Sequence, residues 1–539
     1  MTSGRIPVLS ALTVLLVGMS PATAGAAPAP DPAATQQPVP ALSWAPCGSA
    51  PGVECATAAL PMDYDHPQGT QVDIAVARVP ATDAAQRIGS LFFNFGGPGA
   101  PAVDYLQAEG AGIFEALNAR FDIVAFDPRG VGQSTPAIDC RVDKETEGPV
   151  PRPAPTPVTV DADALVARAQ SYVDTCLENN GEILQHVSTA NVARDMDALR
   201  AAVGDERLSY LGFSYGTFLG ATYAALFPDR YRALVLDGAV DPGAWIHDPV
   251  SLSSTQLVAF EGALDRFLAA CAADQTACSG FGGSDPSTAY DALLSSAAAA
   301  PVPAPRYTAD PRPVTADDIR DVTGQLLYAK QFWGILAVAL AQADAGDGSL
   351  IRAIIDQVVS PPMDPSLDRF VAIAGSEQMW PRDVDAYLER GAREWVDSPH
   401  FWANFAYSEL PFALWPARDT DAYGGSFAVD PSAPTPLVIG TTFDPATPYS
   451  EAVRTVRELG NARLLTMDGD GHTAYGRNSA CIDTATENYL IDVALPAEGT
   501  VCQQQVPFVA PAPVAAQTGT SSGTVTLPDG VGAEVLGRN

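Results

Sequence analysis

The chain has 539 residues, of which 47% are hydrophobic and 17% are charged, so it can form a large buried core and does not have the composition of a disordered protein. Its 63 acidic residues outnumber its 30 basic residues and give a net charge of −33. This balance argues against a nucleic-acid partner, because phosphates are bound by clustered Lys and Arg. The length fits about two to four domains, or one large domain with an insertion.

Residues 1–26 have the pattern of a secretory signal peptide. Arg5 supplies a positive charge, an apolar segment runs from Ile6 to Met19, and Ala24-Gly25-Ala26 offers small residues for cleavage. No later stretch has the ~18 consecutive apolar residues of a membrane helix. We therefore expect a secreted protein with no membrane anchor, whose mature chain opens with a flexible leader rich in Ala, Pro and Gln over residues 27–42.

Eight cysteines in an exported chain indicate disulfide bonds. They fall into pairs that are near neighbours in the sequence: Cys47 and Cys55, Cys140 and Cys176, Cys271 and Cys278, Cys481 and Cys502. Sequential pairing is the simplest connectivity, although the sequence does not exclude the others. A metal site is disfavoured because neither Cys-x-x-Cys spacing nor clustered His accompanies these cysteines, and we expect no cofactor.

Residues 43–242 alternate short apolar runs with helix-like segments. Strands are predicted at residues 71–79, 90–95, 121–126 and 233–237 and in the run that ends at Gly212. Helices are predicted at residues 161–179, 188–203 and 215–227, whereas residues 43–61 and the Pro-rich residues 145–160 have no regular pattern. This alternation predicts an α/β fold with a mostly parallel sheet.

The pattern changes after residue 242. Residues 243–430 are mostly helical in periodicity and predict a large helical cap inserted into the α/β core. The sheet pattern resumes in residues 431–502, with strands at 435–440 and 463–467, a helix near 450–459 and a terminal helix that carries Cys481. Residues 503–539 are rich in Pro, Ala, Gly, Ser and Thr and are predicted to be a disordered tail.

The stretch Gly212-Phe213-Ser214-Tyr215-Gly216 lies between a predicted strand and a predicted helix. Gly-x-Ser-x-Gly in this setting predicts a nucleophile elbow, a turn so sharp that the serine is strained and its hydroxyl is exposed. Sites in parallel sheets lie at the carboxyl ends of the strands, so Ser214 is predicted to be a nucleophile at that edge.

A serine hydroxyl needs a base, and with such an elbow the partners follow in the order Ser, Asp or Glu, His. His472 is the predicted base because it follows a predicted strand, in the small-residue loop Asp468-Gly469-Asp470-Gly471-His472-Thr473. His247 and His400 lie within the predicted insertion, where packing or surface roles are expected.

The carboxylate that orients the base is expected at the end of the strand before the last one. Asp444 lies there, and it is predicted to accept a hydrogen bond from the imidazole and to stabilise its charged form. Asp468 and Asp470 are the alternatives, but both belong to the histidine's own loop.

A glycine turn, Gly96-Gly97-Pro98-Gly99, follows the strand at residues 90–95. An oxyanion is stabilised by two backbone N–H groups, one of which comes from the residue after the nucleophile, here Tyr215. The second is predicted to come from Gly97, with Gly96 as the alternative, because Pro98 has no N–H.

Together these motifs resemble the secreted actinobacterial tripeptidyl aminopeptidases, within the proline iminopeptidase branch of the α/β hydrolases. The matching segments are residues 60–67, 94–99, 127–134, 212–216, 444–448 and 471–473. The terminal helix flanked by Cys481 and Cys502 also looks like that family's C-terminal segment, so the resemblance covers residues 43–503. It implies an α/β-hydrolase fold and an exopeptidase that releases short peptides, in this family tripeptides, from a free N-terminus.

The chain departs from the family pattern in two places. Ala100-Pro101 follows the glycine turn where the family usually has Gly and Ser, and Gly375 and Phe412 stand where the family often has a pair of cysteines. The expected partner is a peptide whose N-terminal ammonium must be held. The resemblance implies acids on the cap for this role, and Glu377 and Glu409 are the candidates.

Two other functions stay open. The altered turn and the altered cap also suit an esterase or amidase that acts on small molecules with the same three residues. A non-catalytic binding protein on the same scaffold is disfavoured by the complete Ser–Asp–His set.

Overall fold

The computed structural model describes residues 39–359, 363–476, 479–506 and 508. The predicted signal peptide, most of the leader and most of the tail lie outside the described residues. One sheet of ten strands forms the centre of the described chain. Its strands are β1 (Ala45–Pro46), β2 (Glu54–Pro61), β3 (Gln71–Val79), β4 (Gly89–Asn94), β5 (Phe121–Phe126), β6 (Leu208–Phe213), β7 (Tyr231–Asp237), β8 (Leu437–Phe443), β9 (Arg463–Asp470) and β10 (Val501–Gln503).

The strand order across the sheet is β1-β2-β3-β5-β4-β6-β7-β8-β9-β10. The three pairs β1·β2, β2·β3 and β3·β5 are antiparallel. Every other neighbouring pair in the sheet, from β5·β4 to β9·β10, is parallel. The expected mostly parallel α/β fold is confirmed. Successive residues of β4 belong to different hydrophobic clusters, Phe92 to one and Phe93 to the other, so both faces of the sheet are covered. Strands buried on both faces read as continuous apolar runs, which is why the sequence identifies them.

Helices connect and cover the strands. They are α1 (Val103–Glu109), α2 (Glu115–Asn118), α3 (Ala162–Asn180), α4 (Thr189–Ala202), α5 (Tyr215–Leu226), α6 (Pro242–His247), α7 (Pro249–Ala273), α8 (Pro286–Ala299), α9 (Ala316–Leu327), α10 (Trp333–Asp344), α11 (Ser349–Ile354), α12 (Ser366–Glu377), α13 (Val384–Asp397), α14 (Trp402–Phe405), α15 (Leu410–Leu414), α16 (Tyr449–Leu459) and α17 (Ala480–Asp492). Among the described residues, no helix combines the length and apolar composition needed to cross a membrane.

The sequence prediction is wrong at both edges of the sheet. Residues 43–61, expected to be irregular, contain β1 and β2, and β2 pairs with β3 along its whole length. The strand at residues 463–467 is not the last one, because β10 pairs in parallel with it. Alanine-rich β2 has low strand propensity and β10 has only three residues, so neither gives a clear strand signal.

The insertion between β7 and β8 is built from α6 to α15 and packs in two parts. Side chains of residues 257–358, among them Phe267 and Trp333, form a separate hydrophobic cluster that Phe401 also joins. Helices α12 and α15 instead join the cluster on one face of the sheet, through residues such as Val371 and Phe412. We therefore propose a cap of residues 243–430 in which residues 257–358 form most of a separate packing unit, while α6 at its start also packs against the sheet cluster.

Four disulfides join the cysteines that are neighbours in the sequence. They are Cys47–Cys55, Cys140–Cys176, Cys271–Cys278 and Cys481–Cys502. Sequential pairing, the simplest connectivity considered from the sequence, is the one in the structure.

A buried ion pair connects the loop after β5 to α4, and its hydrogen bonds reach a second segment of the family resemblance. Arg129, in the loop after β5, is paired with Asp195 of α4 through Nε at 2.8 Å and Nη2 at 2.6 Å. The Tyr64 hydroxyl donates to the same carboxylate at 2.8 Å. The guanidinium also donates to the carbonyl oxygens of Pro61, Met62 and His186. Residues 60–67 and 127–134 therefore belong to one hydrogen-bonded unit.

Candidate active site

Ser214 lies in the sharp turn between β6 and α5, with φ 55° and ψ −126°. A positive φ is strained for a residue with a side chain and is typical of a nucleophile elbow. The turn is tight, since a Cβ on Gly216 would lie 2.7 Å from the carbonyl oxygen of Asn94, and only glycine avoids this contact. The Ser214 N–H donates to the carbonyl oxygen of Asp237 at 2.9 Å, which fixes the elbow at the carboxyl ends of β6 and β7.

Asp444 and His472 lie side by side just beyond β8 and β9. Nδ1 of His472 is 2.9 Å from each carboxylate oxygen of Asp444, and both side chains are buried. The carboxylate also accepts the backbone N–H groups of Ala446 and Thr447, each at 2.8 Å. With Nδ1–H donating to Asp444, Nε2 carries the lone pair, and no described residue hydrogen-bonds to it.

The end of β7 brings Ser214 and His472 together. Asp237 accepts the N–H of Ser214, and a Cβ on the next residue, Gly238, would lie 3.1 Å from Cε1 of His472. Within the described part of the chain, no hydrogen bond joins Ser214 Oγ to Nε2 of His472. Catalytic hydrogen bonds of this kind often shorten only when substrate binds, so the arrangement fits a Ser–His–Asp triad.

Two groups position the His472 loop, and neither was identified from the sequence. The Asp237 carboxylate accepts the N–H groups of Ala474 and Tyr475 at 2.8 to 3.0 Å, and burial raises its pKa to about 6. The carbonyl oxygen of Tyr328, on the insertion, accepts the N–H of His472 at 2.6 Å. The Tyr328 ring also packs edge-on against the imidazole, with centroids 5.5 Å apart. The orientation of the base therefore depends on the sheet and on the insertion.

The glycine turn after β4 lies against the nucleophile, because a Cβ on Gly96 would be 2.8 Å from Cβ of Ser214. The N–H of Gly96 donates to the side-chain oxygen of Asn94 at 2.9 Å and is therefore already used. No hydrogen bond from the N–H of Gly97 or Tyr215 occurs among the described residues. The geometry thus favours Gly97 over Gly96 as the second oxyanion donor.

Asp127, which follows β5, holds the chain just beyond this turn. Its carboxylate accepts the N–H groups of Ala102 and Val103 at 2.7 and 3.0 Å, at the start of α1. It also accepts the N–H of Gln133 at 2.8 Å, and burial raises its pKa. The acid at this strand end therefore orders the chain that follows the turn.

A pocket of about 100 Å³ opens beside Ser214. Much of its wall comes from the insertion, including the aromatic rings of Trp245, Phe370 and Trp380. The lining also contains two buried acids, Glu409 of the insertion and Glu451 of α16. The site can therefore enclose an apolar group and can also bind a cation.

The two acids expected at a substrate N-terminus occupy different places. Glu377 does not line the pocket. Its carboxylate accepts the N–H and hydroxyl of Thr189 and the indole N–H of Trp245, each at 2.8 Å. Glu409 does line the pocket, and it is paired with Arg390 of α13. Burial raises the pKa of both acids, that of Glu377 to about 7.

The raised pKa of Glu377 predicts a pH effect on stability. The ordinary pKa of this side chain is 4.5, and in the folded protein the Glu377 carboxyl stays protonated up to about pH 7. The stability that the protonated carboxyl contributes is present below pH 4.5 and is lost as the pH rises to about 7. This change in the free energy of unfolding is on the order of 3 kcal/mol. Glu377→Gln keeps a neutral side chain at every pH, but its amide N–H₂ then faces one of the donors on Thr189 or Trp245. This clash of donors is expected to lower the free energy of unfolding by about 1–3 kcal/mol.

The stability deficit of Glu377→Gln is therefore expected to be largest near pH 5 and to shrink toward pH 8. Guanidinium unfolding at several pH values measures it, and Glu389→Gln, which changes an exposed acid of α13, is the control. A deficit that stays constant from pH 5 to pH 8 would contradict the assignment.

A larger cavity of about 850 Å³ lies elsewhere, between α3 and the segment before it. Its lining includes Arg141, Glu147 and Arg168 and none of the predicted catalytic residues. Size alone does not make it the reaction site, because covalent chemistry requires a nucleophile beside its base.

One cluster among the described residues has atoms spaced like metal ligands: Cys140, Cys176 and Asp368. The two cysteines are joined in a disulfide, and the carboxylate is paired with Lys144 at 2.9 Å. This cluster is therefore structural.

The fold and the site together define a class of protein. A parallel α/β sheet with a strained serine at the elbow and a buried His–Asp pair at the same edge is the arrangement of serine hydrolases. Residues 91–478 match the family described as "alpha/beta hydrolase fold".

Several named proteins are similar to this chain over most of its length. "Serine protease Hip1" of Mycobacterium tuberculosis is 34% identical over 519 residues, covering 92% of this chain and 96% of that protein. "Carboxylesterase B" of the same organism is 35% identical over 530 residues, with coverages of 92% and 98%. "Tripeptidyl aminopeptidase" of Streptomyces lividans is 30% identical over 474 residues, with coverages of 86% and 85%.

A solved structure, the proline iminopeptidase of Mycobacterium smegmatis, aligns with a TM-score of 0.29 at 17% identity and covers 77% of this chain and 91% of its own. The chain belongs to the α/β-hydrolase family and, within it, to the tripeptidyl aminopeptidase group. It is an enzyme of the hydrolase class, and its relatives support a serine peptidase.

Proposed function

We propose that the protein is a secreted serine aminopeptidase that releases short peptides, tripeptides in the first instance, from free N-termini. The observation that carries this proposal is the strained Ser214 beside the buried Asp444–His472 pair, under a pocket lined largely by the insertion. The catalytic residues are Ser214 as nucleophile, His472 as base and Asp444 as the group that orients it.

In the proposed reaction, Ser214 Oγ attacks the carbonyl carbon of the scissile bond while Nε2 of His472 takes its proton. Asp444 keeps the proton on Nδ1 and stabilises the charged imidazole. The N–H groups of Tyr215 and Gly97 stabilise the oxyanion. The imidazolium then protonates the leaving amine, which leaves an acyl-enzyme, and His472 activates the water that hydrolyses it.

Two features support action at peptide ends. Much of the wall of the pocket beside Ser214 comes from the insertion, which closes that side of the site to a long chain. The relative from Streptomyces lividans is named for tripeptidyl aminopeptidase activity. Of the two acids predicted from the sequence, Glu409 lines the pocket and Glu377 does not, although Glu409 is already paired with Arg390.

Secretion is the proposed location. Residues 1–26 have the signal-peptide pattern, and the four disulfides are typical of an exported protein.

The proposal is tested with peptides that differ only at the N-terminus. Incubation with a library of peptides, followed by mass spectrometry, is expected to show successive loss of tripeptides from free N-termini. N-acetylated copies are expected to react at least about tenfold more slowly, because a buried site that pairs with an ammonium loses that interaction. Equal cleavage of free and acetylated peptides, or internal cleavage, would contradict an aminopeptidase.

A second candidate function is hydrolysis of small esters or amides by the same triad. The 35% identical relative named carboxylesterase B and the aromatic pocket wall favour it. Fast turnover of p-nitrophenyl butyrate without cleavage of any peptide would select this alternative.

A further inference from the structure

Glu451 is a buried carboxylate without a partner for one of its oxygens. It is the third residue of α16, its side chain is 1% exposed, and it lines the pocket beside Ser214. Oε2 accepts a long hydrogen bond of 3.5 Å from the N–H of Asp241. Oε1 is buried and has no hydrogen-bond partner among the described residues.

A carboxylate in this position is costly unless something pairs with it. A buried charge or polar atom without a partner costs several kcal/mol, so native proteins rarely keep one without a reason. Burial raises the pKa of Glu451, and the nearby carboxylates of Asp241 and Asp444 act in the same direction. Arg454 is the nearby cation, but its Nε donates to Asp241 at 2.6 Å, and no ion pair links it to Glu451 in the described chain.

The other acids near the pocket are already paired. Glu377 is outside the lining and has hydrogen bonds to both oxygens, and Glu409 is paired with Arg390. Glu451 is thus the pocket acid with an oxygen left for a ligand. The lining also places Trp245 and Trp380 in the same pocket, and aromatic faces attract alkylammonium groups.

We propose that Oε1 of Glu451 binds a protonated amine of the substrate, so that Glu451 selects substrates with an alkylammonium group in the pocket. Two groups of a substrate have this chemistry, the N-terminal ammonium and a lysine side chain next to the scissile bond. Binding of the N-terminal ammonium rests on the proposed aminopeptidase function, whereas binding of a lysine side chain does not.

The test compares the wild-type protein with Glu451→Gln, which keeps the shape of the side chain but cannot form a carboxylate. Glu389→Gln, an exposed acid of the cap, is the matched control. The substrates are a tripeptide coumarin amide with a free N-terminus, its N-acetylated copy with leucine before the coumarin, and an N-acetylated copy with lysine there. A fourth assay measures inhibition of p-nitrophenyl butyrate hydrolysis by butylamine and by butanol.

We expect the wild-type protein to prefer one ammonium-bearing peptide over the acetylated leucine peptide. Glu451→Gln is expected to reduce that preference by about 10- to 100-fold, as hydrogen bonds to charged groups do. Butylamine is expected to inhibit the wild-type protein better than butanol does. The two compounds are expected to inhibit Glu451→Gln equally. Glu389→Gln is expected to behave as the wild type.

The outcomes separate the two proposals. Preference for the lysine peptide but not for the free N-terminus supports Glu451 and contradicts the aminopeptidase. The proposal for Glu451 is overturned if the variant loses activity equally on all substrates, which indicates a structural role, or if butylamine and butanol inhibit the wild-type protein equally.

Discussion

Replacing Ser214 with alanine is expected to lower kcat/KM by a factor on the order of 10⁴ to 10⁶ on every substrate that the protein hydrolyses. In the proposed mechanism the hydroxyl forms the acyl-enzyme, and His472 and Asp444 act only through it. Alanine keeps a Cβ at the strained backbone position, so the elbow and its hydrogen bond to Asp237 are retained. Steady-state kinetics measures the loss, and circular dichroism checks the fold.

A fluorophosphonate probe tests Ser214 as the nucleophile without the need for a known substrate. The wild-type protein is expected to be labelled once, on Ser214, and the alanine variant not at all. Ser287→Ala, which changes an exposed serine of α8, is the control and should be labelled normally. Labelling of the Ser214 variant, or retention of more than about one part in a hundred of the activity, would contradict the proposed nucleophile.

Each residue of the proposed triad has a local sequence signal. Ser214 is marked by two glycines between a strand and a helix, and Asp444 and His472 each follow an apolar run in the order that the elbow requires. Parallel strands end at one edge of the sheet, so strand-end residues far apart in sequence meet there. The structure places Nδ1 of His472 2.9 Å from the Asp444 carboxylate, and the imidazole lies against Gly238, the residue after the one that accepts the Ser214 N–H.

The residues that shape the site could not be predicted in the same way. Tyr328 and Glu451 have no motif, and they reach the site only because the insertion and α16 pack against the strand ends. The acids inferred from the family resemblance show the same limit. Nothing in the sequence around Glu377 indicates that Thr189 and Trp245 occupy its oxygens. Periodicity reports which face of an element is buried, not which partner it meets.

Arg129→Met is expected to lower the free energy of unfolding by about 3–5 kcal/mol, because it leaves Asp195 as a buried charge without its cation. Both side chains are fully buried in the structure. Tyr64 still donates to the carboxylate, but the carbonyl oxygens that the guanidinium also bonds lose their donor. Guanidinium unfolding followed by tryptophan fluorescence measures the change.

Two further variants decide whether the cost comes from the unpaired charge. The double substitution Arg129→Met with Asp195→Leu removes both charges, and it is expected to recover part of the loss because apolar pairs often replace buried ion pairs at little cost. Arg306→Met removes an exposed ion pair with Asp347 and is expected to cost no more than about 1 kcal/mol. If Arg129→Met costs no more than Arg306→Met, the pair does not hold the loop after β5 to α4. If the double variant is worse than Arg129→Met, the lost carbonyl hydrogen bonds and packing, and not the unpaired charge, set the cost.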